Sequence, residues 1–176
     1  MSSIFERRSV RSFLPNRRIE HVKLERVLRA GFEAPSSHNR RPWEFIVFVK
    51  EEDLIAISEM SPYAKMVPEA AAVIVPCVNL DMVKPEIAGV SWWVQDLSAA
   101  TENILLQIVE EGLGGVWLGW YPEKERVDAF SSRYKLPANI IPFAVIALGY
   151  PAKPIAPAFR FDTSKVHHGG YGRKDW

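Results

Sequence analysis

The sequence predicts an α+β layered domain, and three observations carry that prediction. Four short runs rich in β-branched and aromatic residues are interleaved with segments of helical period. The longest helical segment is apolar on more than one side. The chain has 176 residues, 48% of them apolar, enough for one substantial core and too many for disorder.

The elements follow in order. Ser3 and Glu6 stand three apart, the spacing of a capping box that opens a short helix. "EHVKLERVLRAGFEA", residues 20–34, places Leu24, Val27, Leu28, Gly31 and Phe32 on one helical face and stops before Pro35. "APSSHNRRPW" is a polar loop, and "EFIVFV", Glu44 to Val49, is a strand. Residues 51–60 read as a helix and "AAAVIVPCV", 70–78, as a second, buried strand. From about Val90 to Glu111 runs the longest element. Val90, Trp93, Val94, Leu97, Thr101, Ile104, Leu105 and Ile108 form one stripe, which Trp92, Ala99, Leu106 and Val109 widen. "GVWLGW" is a third strand, "EKERVDAFSSRY" a helix and "IPFAVIALGY" a fourth strand. Residues 151–176, rich in proline and charge, read as an extended C-terminal arm on a single domain spanning 1–176. The arm and the doubly apolar helix both point to a homodimer.

Several function classes are excluded. The net charge is +1, so the electrostatic footprint of a nucleic-acid binder is missing, and the aromatic residues sit at core spacing. No apolar run reaches the ~18 residues of a membrane helix, and the start lacks a signal-peptide pattern, so a soluble cytoplasmic protein without membrane partners is expected. The single cysteine, Cys77, reads as a small core residue. There is no phosphate loop of the GxxxxGK type and no GxSxG. "GLGGVWLG" follows a helix and precedes a strand, the reverse of a dinucleotide fingerprint. His21, His38, His167 and His168 show no metal-ligand spacing, and no metal is expected.

Three stretches remain that could carry chemistry. "ERRSVRSF" sets Arg7, Arg8, Ser9 and Arg11 around a helix end, where guanidinium forks and a hydroxyl suit a phosphate. "APSSHNRRPWEF" supplies Pro35, Ser36, Ser37 and Asn39 just before a buried strand. "EGLGGVWLGWYP" has glycines that let a flat ring approach the backbone. Taken singly, each has a plain structural explanation: a solvated basic terminus, a helix-to-strand loop, a helix-ending glycine before a core strand.

In combination and in this order, "RRSVRSF", "APSSHNRRPW", "QDLSAATENILLQIVEEGLGGVWLG" and "IPFAVIALGYP" resemble the FMN-dependent nitroreductase family over nearly the whole chain. The resemblance implies a three-layer sandwich with a central, mostly antiparallel sheet and a long core helix, in an intertwined homodimer sharing its FMN sites. It implies that Arg8 and Ser9 hold the phosphate and that Arg7 and Arg11 reach the pyrimidine side of the ring. Pro35, Ser36, Ser37 and Asn39 would come from the other subunit. Gly119 and Trp120, with Trp117 nearby, match the strand whose backbone faces the flavin. Lys65 corresponds loosely to a lysine near the ring. Arg160, or in its place Lys165, matches the arginine that closes on the phosphate. The implied activity is an NAD(P)H-dependent flavin oxidoreductase passing electrons to a nitroaromatic, quinone or similar small-molecule acceptor in ping-pong order. No catalytic side chain is needed, because the flavin carries the hydride chemistry. The alternatives are a flavin-binding or nucleotide-sensing protein without turnover, and a specialised flavin enzyme of the same fold such as an ene-type reductase or dehalogenase.

Overall fold

The structure is a computed structural model that describes residues 2–83, 91–156, 158 and 160–174. Its centre is an antiparallel sheet of β1 (Trp43–Phe48), β2 (Ala72–Asn79), β3 (Gly114–Gly119), β4 (Ile140–Pro142) and β5 (Ala144–Gly149). The order across it is β1-β2-β5-β3, with β4 also paired to β2.

Alternation along β2 divides the core in two. Val73, Val75 and Cys77 face a cluster with Leu54 and Ile57 of α3 (Glu51–Glu59) and Phe130 of α5 (Lys124–Tyr134). Ala72 and Ile74 face Val27 of α2 (His21–Phe32) and Ile104, Leu105 and Ile108 of α4 (Trp93–Glu110). Helices therefore cover both faces of the sheet, giving the expected three layers. A four-residue helix α1 (Ser3–Glu6) precedes them.

Helix α4 has no side-chain N-cap bond, an omission worth about 1 kcal/mol. Its fully buried Leu97, Ile104 and Ile108 outweigh that, since burying each such side chain contributes about 1.5–3 kcal/mol. The widening set behaves differently: Ala99, Leu106 and Val109 are half-buried and Trp92 is exposed. Phe32, predicted on the inner face of α2, is 55% exposed, its ring meeting Phe45 of β1 edge-on at 5.1 Å. Among the described residues the second side of α4 is thus only partly covered. The predicted start of this helix at Val90 lies outside the described residues.

Two expectations need correction. The capping box does not form: Ser2 is the N-cap of α1, Ser3 is already helical, and no side chain caps the end. The fourth strand is two strands. Ala72–Ile74 pair with Ile146–Leu148, whereas Cys77–Asn79 pair with Ile140–Pro142, so three residues on one side oppose two on the other. Pro76 lies at this offset, has no N–H to donate, and accepts from the Phe143 amide at 2.8 Å. A bulge is the arrangement that lets a proline sit in a central strand.

Candidate functional site

The N-terminal segment is sewn onto one end of the sheet by main-chain bonds. Ser9 bridges Gly115 in parallel, and the Val10 amide donates to the Gly115 carbonyl at 2.9 Å. Phe13 bridges Pro151, the Leu14 amide donates to the Tyr150 carbonyl, and the Ala152 amide donates to the Ser12 carbonyl. Val10 and Phe13 are buried, as their apolar character in a basic stretch predicts. The approach at β3 requires glycine: a Cβ on Gly114 would lie 2.7–2.9 Å from the Val10 side chain. Beyond this seam Tyr150 donates its hydroxyl to Glu20 at 2.6 Å, a bond that is the main cause of the depressed Glu20 carboxyl pKa. Arg17 stacks 3.6 Å over the Tyr150 ring.

This path fixes what Arg7, Arg8, Ser9 and Arg11 present. The Arg7 Nε is 3.1 Å from Glu102 Oε1 on α4. Arg8 donates from Nη1 to the Arg7 carbonyl at 2.6 Å and from Nη2 to the Ala158 carbonyl at 2.8 Å. Its Nε is buried and has no partner among the described residues, and an unsatisfied buried donor costs about 1–3 kcal/mol, more when charged. Ser9 and Arg11 face solvent. Since Arg8 contacts Ala158, the exposed Arg160 follows two residues from the clamp. Its competitor Lys165 lies in a 3-10 turn, 3.6 Å from Asp162.

Strand β3 continues from Gly115 to Gly119, four residues or about 13 Å along the sheet. Trp117 is half-buried and meets Phe143 at 5.7 Å. The Trp120 indole is fully buried on the opposite face and donates from Nε1 to the Arg126 carbonyl at 2.8 Å, so only its backbone can serve a ligand. Gly119 is exposed, and a Cβ there would meet nothing within 4 Å. The Arg126 Nη1 donates to the Gly119 carbonyl at 3.0 Å, and its guanidinium lies 5.4 Å over the Tyr63 ring. This brings the loop of Lys65, itself exposed, alongside the end of β3. Arg126 and Tyr63 carried no motif signal in the sequence.

The loop after α2 has a different construction. His38, Asn39 and Arg41 have φ of 53°, 54° and 51°, and a left-handed residue with a side chain costs about 1–2 kcal/mol. Local bonds offset that cost. The Arg41 amide donates to Ser36 Oγ at 2.9 Å, and the Arg41 Nε donates to Asn39 Oδ1 at 2.9 Å. The Ser37 amide donates to Asp96 Oδ1 at 2.7 Å. Asp96, in the first turn of α4, is buried; desolvation pushes its carboxyl pKa up and the Ser37 amide partly opposes that. Sequence reasoning passed over Asp96, although a carboxylate inside an apolar stripe is itself a signal. Pro35 and Asn39 are exposed, and Ser36 and Ser37 are half-buried.

Within one chain the cationic clamp and this loop do not converge on α4. Glu102 holds the first and Asp96 the second, six residues apart, or about 9 Å of rise and about 120° around the helix. Among the described residues no group of three or more His, Cys, Asp or Glu could hold a metal, and no helix is long and apolar enough to cross a membrane. His167 instead stacks on Tyr171 at 4.4 Å and accepts from the Gly172 amide.

Fold and site together define a three-layer protein that offers a basic anchor at one end of a strand and open, side-chain-free backbone at the other. Comparison with known proteins specifies the class. The model of the Nitroreductase family matches residues 4–73. A protein of Archaeoglobus fulgidus, provisionally named NADH dehydrogenase/NAD(P)H nitroreductase, is 42% identical over 95% of each chain. A crystal structure of a provisionally named NADH oxidase from Clostridium acetobutylicum superposes with a TM-score of 0.90 at 38% identity, covering 97% of this chain and 100% of that one. An FMN-dependent nitroreductase from Clostridium difficile superposes with a TM-score of 0.86 at 27% identity, covering 97% and 99%. The chain belongs to the nitroreductase family, and its three-layer α+β fold is that family's fold.

Proposed function

We propose that this chain is an NAD(P)H-dependent FMN oxidoreductase, a single-domain protein working as a homodimer with flavin sites at the subunit seam. The observation that carries the reading is the buried, unpartnered Nε of Arg8 in a strap of arginines and a serine. A phosphate ester that reached it on a shift of the Arg8 side chain would satisfy that donor with a charge-assisted bond. The open space over Gly119 is the second point of fit: nothing in the chain's own packing excludes a side chain there, and a planar ring would. Arg8 and Ser9 hold the phosphate, with Arg160 closing from the C-terminal segment. Arg7 and Arg11 place positive charge toward the pyrimidine side, where it favours the reduced, more anionic form of the ring. Lys65 lies toward the ring. The backbone at Gly119 and Trp120 faces the ring edge, with Trp117 behind it. Pro35, Ser36, Ser37 and Asn39 reach the partner's flavin, which accounts for the divergence of loop and clamp around α4 and for the partly covered side of that helix. When bound, FMN supplies two-electron chemistry, accepting from NAD(P)H and delivering to a nitroaromatic, quinone or similar acceptor in ping-pong order. A cytoplasmic location fits both electron donor and acceptors of this kind.

Purification with added FMN tests this directly. The expected protein is yellow, bleaches with NADH or NADPH under exclusion of oxygen, and sediments as a dimer. A yellow protein that neither nucleotide bleaches is a flavin-binding protein without this turnover. A colourless protein that ignores FMN, or a flavin-loaded monomer, overturns the site described above.

A further inference from the structure

The carboxylate of Asp96 has no part in the chemistry just described, yet it is only 7% exposed, in a helix whose other buried residues are apolar save Thr101. It accepts from a main-chain amide, that of Ser37, in the loop that offers Ser36, Ser37 and Asn39. That loop takes three left-handed residues with side chains within four positions, an arrangement that an unanchored chain abandons. Among the described residues its other bonds, the main-chain bonds from Asn39 to Ser36 and from Arg40 to Ser37, those from Arg41 to Ser36 and to Asn39, and that between Ser37 and His38, stay inside the loop and fix its shape without fixing its place. The bond to Asp96 ties that shape to α4.

We propose that Asp96 is a positioning residue: by accepting the Ser37 amide it holds residues 36–41 on the first turn of α4 in the shape that presents Ser36, Ser37 and Asn39 to the flavin. The proposal rests on the flavin site described above for its purpose, though not for its geometry. Asp96 itself touches no ligand. The bond needs an acceptor oxygen at Oδ1 and not a charge, so asparagine can replace aspartate here where alanine cannot.

The test has two readouts. In flavin-free protein, hydrogen exchange of the amides at 37–41 should accelerate at least tenfold in Asp96→Ala and stay near wild type in Asp96→Asn, because only alanine removes the acceptor. FMN titration followed by flavin fluorescence should show binding about tenfold weaker in Asp96→Ala and within about threefold of wild type in Asp96→Asn. Should the alanine variant fail to fold, Ser37→Pro deletes the donor from the other side. Ser36 already has φ −142° and ψ 153°, the conformation a residue before proline adopts, and Ser37→Pro should bind FMN about tenfold more weakly than Ser37→Ala, which loses the same hydroxyl but keeps the amide. Wild-type exchange at 37–41 in Asp96→Ala, or unchanged FMN affinity with both Asp96→Ala and Ser37→Pro folded, overturns the proposal. If wild type binds no FMN, the site reading falls, and exchange alone then decides whether Asp96 anchors the loop.

Discussion

The N-terminal segment 7–14 and the loop 35–41 present similar polar groups but are held in opposite ways. The first gets its position from the main chain: ladder-like bonds to Gly115 and Tyr150, and two buried side chains, Val10 and Phe13. The second gets its shape from the side chains of Ser36 and Asn39 and its place from Asp96, while its backbone is left-handed at three places. A main-chain seam can be altered only by disturbing the sheet it joins. A side-chain clasp can be undone one residue at a time, with the fold intact.

The largest expected effect breaks the seam. Gly114→Val must displace Val10 and so lift the strap off β3, losing about 1–3 kcal/mol by overpacking. Thermal unfolding should show the loss, and the purified protein should carry little flavin; wild-type values of both would mean the seam is not what positions the strap. Next, Arg8→Ala combined with Ser9→Ala removes the proposed phosphate partners but leaves the seam. FMN affinity should fall about tenfold to a hundredfold, at about 1.5–3 kcal/mol per charge-assisted bond, with the melting temperature nearly unchanged. Unchanged flavin content would show the phosphate is gripped elsewhere. In Gly119→Val the added side chain enters open space, so stability should stay within about 0.5 kcal/mol while FMN binding drops; a variant that binds normally would place the ring away from β3. The clasp is probed most gently by Asn39→Ala, which loses the Arg41 Nε acceptor and a residue tolerant of left-handed backbone. A cost of about 1 kcal/mol is expected in urea unfolding.

The smallest effect comes from Cys77 in β2, outside both regions. Burial first, and the Glu44 charge second, push its thiol pKa up to about 12. The folded protein should therefore ignore a thiol reagent at pH 8 and react once urea unfolds it. The same shift stabilises the fold fully below the ordinary thiol range, a contribution that is lost as pH rises toward about 12.

Wherever local pattern and tertiary packing agree, the sequence was legible. The stripe through Trp93, Leu97, Thr101, Ile104, Leu105 and Ile108 is the buried face of α4, and the strands fall within two residues of their predicted bounds. The β4–β5 break was not legible, because "IPFAVIALGY" is uniformly apolar and the cause, Pro76, is 67 residues upstream of Phe143 on another strand (143 − 76). Asp96 was missed for the same kind of reason: its partner Ser37 is 59 residues away. The basic segment was legible as a charged cluster beside the buried anchors Val10 and Phe13. That Arg7 turns to Glu102 while Arg8 keeps an unpaired Nε depends on packing no spacing rule encodes.

The open space at Gly119 has a practical consequence for anyone engineering this chain. A library sorted only for expression or heat resistance puts no pressure on that position, so drift there goes unnoticed and accumulates. Selection rounds therefore have to include colour, or another report of bound pigment, from the first cycle.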